Sequence, residues 1–61
     1  MSMTPKFRAE ILREIARCDR EIAEAGRQAD APAILVALWA EDWEGEKRIL
    51  LAMLDAARAA A

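Results

Sequence analysis

Histidine and tyrosine are absent from this 61-residue chain, phenylalanine and cysteine occur once each, and glycine and proline twice each. Each scarcity excludes something. Without histidine or tyrosine, the commonest general acid–base groups are missing, and the E-x-x-H element of a diiron bundle cannot be completed. A single cysteine, Cys18, makes no internal disulfide, and no Cys/His cluster exists to hold a metal. Ser2 and Thr4 lie near a terminus expected to be mobile, with no base at a defined distance. The expectation is a protein that is not an enzyme and uses no cofactor or metal.

Long apolar runs are also missing. The longest uncharged stretch, residues 31–40, is about half of the ~20 residues a membrane helix needs. The opening MSMTPKFRAE lacks the apolar core of a signal peptide. Net charge is −2 and the isoelectric point is about 5.0, so no global charge draws the chain to nucleic acid or an anionic membrane. These features predict a cytoplasmic protein, in keeping with a lone thiol.

Alanine is abundant: it supplies 15 of the 34 hydrophobic residues. Without alanine, Cys18 and Met1, 17 large apolar side chains remain. At roughly 1.5–3 kcal/mol each when buried, their gain only matches the backbone entropy of ordering the chain. Scaffolds this small usually rely on a disulfide, a metal or a partner subunit. With the first two excluded, self-association is the expected remedy.

Thr4-Pro5 reads as an N-cap followed by a first-turn proline. From there to Ala25 strong helix formers run without interruption. A heptad register puts Ile15 and Ile22 at a, and Ile11, Cys18 and Ala25 at d. Phe7 and Leu12 widen the stripe, Ala9, Ala16 and Ala23 fill the b positions, and Arg8 at the first a position delays tight packing by a turn. Cys18 at d predicts a buried, inert thiol. Gly26 is placed to close this helix in the left-handed conformation. Asp30 with Ala31-Pro32 reads as the cap and first turn of the next helix. A link this short favours antiparallel neighbours, so the chain is expected to be all-α: one domain over residues 1–61, with a helix over 5–25, a turn over 26–31 and a helix over 32–59.

Two readings of the second segment stay open. One continuous helix aligns Leu35, Leu38, Gly45, Ile49, Ala52 and Ala56 on one face, with Val36, Trp39, Trp43, Leu50, Met53 and Ala57 on an adjacent one. The other has a break near 41–45, with Asp42 capping a third helix. The terminal AARAAA is expected to fray.

The hairpin layout, two helices meeting near Asp30-Ala31, resembles the plasmid-encoded ROP family. That likeness implies dimerisation into a four-helix bundle, and RNA binding. A basic ridge at the f positions, Lys6, Arg13, Arg20 and Arg27, would carry RNA or DNA contact in that reading. Acids interleave with the ridge, however, and no aromatic side chain lies on it to stack bases.

Trp39 and Trp43 stand four apart within LWAEDWEGEKR, the most acidic stretch of the chain. If Leu35, Leu38, Ile49 and Ala52 pack on the first helix, a surface of Val36, Trp39, Trp43, Leu50, Met53 and Leu54 is left uncovered. An apolar patch of several hundred Å² demands a partner. The expected interface is this surface together with Ile11, Ile15, Cys18 and Ile22, covered by a second copy of the chain or by a different protein, and the sequence leaves open which of the two meets Trp39 and Trp43. The sequence therefore predicts a homodimeric, protein-binding helical module, an adaptor or inhibitor. The alternatives are a ROP-like nucleic-acid binder and a purely structural assembly subunit.

Overall fold

A computed structural model describes residues 3–60. Thr4 is extended (φ −69°, ψ 152°), and its Oγ1 accepts the Phe7 N–H at 3.2 Å. The Thr4 carbonyl receives the Arg8 N–H at 2.9 Å, and Pro5 opens the first turn. Helix α1 runs from this cap over Pro5–Gly26. Thr4 is thus held in a structural role; Ser2 lies outside the described residues.

The end of α1 corrects the expectation for Gly26. No residue among those described has a positive φ, and Gly26 is the last helical residue. Closure comes from i→i−3 bonds instead: the Arg27 N–H donates to the Glu24 carbonyl at 3.0 Å and the Gln28 N–H to that of Ala25 at 3.2 Å. Arg27 Nη2 also reaches Glu24 Oε2 at 2.8 Å. Tightening the last turn in this way satisfies terminal carbonyls without a left-handed residue.

Helix α2 spans Ala33–Ala60, 28 residues without a break. Its first N–H groups, from Leu35 and Val36, donate to the Pro32 carbonyl at 3.0 and 3.2 Å. Pro32, rather than the Asp30 side chain, therefore starts the helix. Of the two readings of this segment, the continuous helix is the one found. Gly45 costs a helix interior about 1 kcal/mol relative to alanine, but long apolar stripes on both sides of it pack along one neighbour and override that cost. The helix continues through Ala60; Ala61, at the end of the stretch expected to fray, lies outside the described residues.

The two helices pack against each other as a hairpin with no strand among the described residues. On α1 the buried residues are Ile11, Cys18 and Ala25, one per heptad, with Ile15 and Ile22 half-buried between them. Apart from Gly45, the half-buried positions of α2 are Val36, Ala40, Trp43, Lys47, Leu50, Leu54 and Ala57. They alternate in steps of four and three, which is the seam of an antiparallel coiled coil. Lys47 is the one charged member, and its Nζ meets Asp19 Oδ1 of α1 at 2.6 Å.

The molecule measures 46 × 16 × 9 Å between Cα extremes, two helices wide and one helix thick. Its radius of gyration is 14.2 Å, against about 10–11 Å for a compact chain of this length. Accessible surface is 4790 Å², some 20% above the roughly 4,000 Å² expected for this mass. A single layer has no third element to cover its faces, so the fully buried core is confined to one line of side chains.

Stability should therefore concentrate on that line. Ile11→Ala, at a residue only 3% exposed, is expected to cost about 2–4 kcal/mol in urea unfolding. Ile34→Ala, at 71% exposure, should stay within about 0.5 kcal/mol of the parent. Equal losses at the two sites would contradict the seam.

Candidate protein-interaction surface

The structure exchanges the two faces of α2 relative to the sequence expectation. Val36, Trp43, Leu50 and Leu54, expected on the uncovered surface, lie half-buried along α1. Leu35, Leu38 and Ile49, expected in the seam, are exposed, Ile49 to 66%. The physical reason lies in the middle of each stripe. The Val36-to-Ala57 stripe offers large side chains along its whole length, and its single charge finds Asp19. The Leu35-to-Ala56 stripe holds Asp42 and Gly45 at its centre and has less to bury against α1. Trp39 and Met53 remain exposed as expected.

The tryptophans therefore have different surroundings. Trp43 sits in the seam, with the Arg17 guanidinium carbon 5.4 Å from its ring centroid, a cation–π distance. Arg17 also lies 3.9 Å from Glu14. Trp39, one turn earlier, is 44% exposed. Both rings still border one open groove of about 370 Å³, shared with Glu21, Glu24, Ala25 and Gln28 of α1. On this broad side of the hairpin the helical register gathers Glu10, Glu14, Glu21, Glu24, Asp42 and Glu46, of which Glu10, Glu14 and Glu24 are met by Arg13, Arg17 and Arg27. An apolar groove with an acidic border results.

Cys18 lies beneath this side, 1% exposed. Burial pushes its thiol above the ordinary value of 9.0, and the nearby carboxylates of Glu46, Glu14 and Asp19 add to the shift against a smaller opposing effect of Arg17. A raised thiol is protonated at neutral pH and weakly nucleophilic. Among the described residues no group of three or more His, Cys, Asp or Glu is placed to hold a metal ion, and no helix is long and apolar enough to cross a membrane.

The basic ridge of α1 is exposed as expected, but its charges are partly engaged. Arg13 lies 3.9 Å from Glu10, and Arg27 bonds Glu24, which also accepts from Gln28 Nε2 at 3.4 Å. The sequence reading missed the Asp19–Lys47 pair. Its signal was present: Val36, Ala40, Trp43, Leu50, Leu54 and Ala57 keep four-three spacing with one gap, and Lys47 fills that gap.

The pair and the thiol fix the alkaline behaviour. Lys47 is raised above 10.5, chiefly by its hydrogen bond to Asp19 and then by that carboxylate's charge. Cys18 and Lys47 both have folded-state values above their unfolded ones, so folding favours the protonated form of each. Their contributions are fully present below the unfolded values and are lost as pH rises through the folded ones. Stability should fall first above about pH 9 and again above about 10.5. In urea melts across pH, Cys18→Ala should remove the earlier decline and Lys47→Met the later one. Unchanged curves would contradict both assignments.

Comparison with known protein families, with curated proteins and with solved structures finds no match to this chain.

Proposed function

We propose that the chain is a non-enzymatic, protein-binding helical module that works as a homodimer of hairpins, four helices in all. The observation that carries this is the imbalance of apolar burial. Among the described residues three are buried, while Phe7, Leu12, Ile34, Leu35, Leu38, Trp39, Ile49, Leu51 and Met53 are all more than a third exposed. Monomers seldom leave so much apolar surface uncovered, and the surface excess of roughly 800 Å² matches what each partner buries in a standard protein interface.

The groove beside Trp39 and Trp43 supports the second half of the proposal. Aromatic side chains in a recessed site bordered by more acids than cations suit recognition of a protein segment with a basic rim. The acids set on-rate and partner choice, and the rings supply the buried area. The ROP-like nucleic-acid alternative has less support, because Glu10 and Glu24 already face two of the four ridge cations.

Sedimentation equilibrium at micromolar concentration should return twice the chain mass, and a well-folded monomer would contradict the homodimer. Affinity capture from the native host should recover a protein that Trp39→Ala, Glu21→Lys double substitution loses while the hairpin stays folded. Recovery of nucleic acid instead, lost at high salt and on Arg13→Glu with Arg20→Glu, would favour the alternative.

A further inference from the structure

Gly45 has no role inside the hairpin. Its φ is not positive, and a Cβ built on it meets nothing within 4 Å. Neither backbone conformation nor internal packing explains a helix-weakening glycine near the centre of a 28-residue helix. It occupies the middle of the second apolar stripe of α2, where Leu35, Leu38, Gly45, Ile49, Ala52 and Ala56 repeat in heptad fashion with Asp42 as the one interruption. This stripe points away from α1, and its large members are exposed.

We infer that this stripe is the subunit interface: α2 packs antiparallel on α2 of a second copy, with the two-fold axis passing beside Gly45. The inference rests on the homodimer proposed above and names its surface. Antiparallel pairing about Gly45 is self-complementary. It sets Leu38 opposite the partner's Ala52 and Leu35 opposite the partner's Ala56, large against small, and Asp42 beside the partner's Ile49. At the axis glycine meets glycine, so the backbones approach closely. Trp39 comes to lie near the partner's Met53, a sulfur–aromatic pairing. The chain's own charges also fit: Arg48 falls between the partner's Glu41 and Asp42, and symmetry makes that contact twice. Like charges flank the axis on the other side, where Glu46 lies near the partner's Glu46 and near the partner's Asp42, so the Arg48 contacts are offset in part. The tryptophan groove keeps its α1 wall, so both activities of the proposed module coexist.

Helix axes about 8–10 Å apart, with Cα atoms about 2.3 Å from each axis, bring facing Cα atoms to about 3.4–5.4 Å. That separation overlaps the span of a disulfide. In a Cys18→Ala background, Gly45→Cys should form a disulfide-linked dimer under mild oxidation, whereas Ala23→Cys, on the outer side of α1, should not. Gly45→Leu should retain the helical content of the hairpin, since a Cβ at this position meets nothing within 4 Å and leucine is a better helix former than glycine, yet raise the dimer dissociation constant about tenfold or more. A wild-type dimer in which Gly45→Leu has no effect and Gly45→Cys fails to cross-link would overturn this interface and leave the homodimer standing. A wild-type monomer would overturn both.

Discussion

A helix in a two-helix protein can lay only one of its sides on its neighbour, and α2 has two apolar sides. Everything else in the structure follows from how that conflict is resolved. The stripe from Val36 to Ala57 is taken by α1, because it matches the Ile11, Ile15, Cys18, Ile22 and Ala25 line along its full length. The stripe from Leu35 to Ala56 is left facing outward. The excess surface, the single-layer shape and the glycine without an internal role all lie on that side of the conflict or result from it.

Charge settles what hydrophobicity leaves open. Lys47 interrupts the chosen stripe, yet Asp19 converts the interruption into a cross-helix pair. Asp42 interrupts the other stripe and finds no such partner on α1, since the antiparallel arrangement turns it away. Arg17, 5.4 Å from the Trp43 ring centroid and near Glu14, is the cation of the acidic broad side that meets an aromatic ring. Its placement lets a large ring sit at the edge of the seam while the groove in front of it stays acidic.

Much of this was legible in the residues. Thr4-Pro5 and the heptad from Ile11 to Ala25 are local signals, and α1 forms where they place it, with Ile11, Cys18 and Ala25 buried. The two-helix hairpin follows from the short polar link. Which side of α2 turns inward was not legible, because both stripes have helical spacing and each carries one charge near its middle, Lys47 in one and Asp42 in the other. That choice depends on pairing between residues far apart in sequence, Asp19 with Lys47 above all. The end of α1 was misjudged for a related reason: Gly26 permits a left-handed close, but the Glu24–Arg27 contact and the i→i−3 bonds supply another.

α2 faces α1 with one stripe and, in the dimer we propose, a second copy of itself with the other. Isotope-filtered NOE spectroscopy on a dimer mixed from labelled and unlabelled chains tests it most directly. Leu38 and Ala52 lie about 21 Å apart along one helix, beyond any contact within a chain. Cross-peaks between the Leu38 methyls of one copy and the Ala52 methyl of the other are expected. Inter-chain cross-peaks confined to other faces, or none at all, would contradict the account.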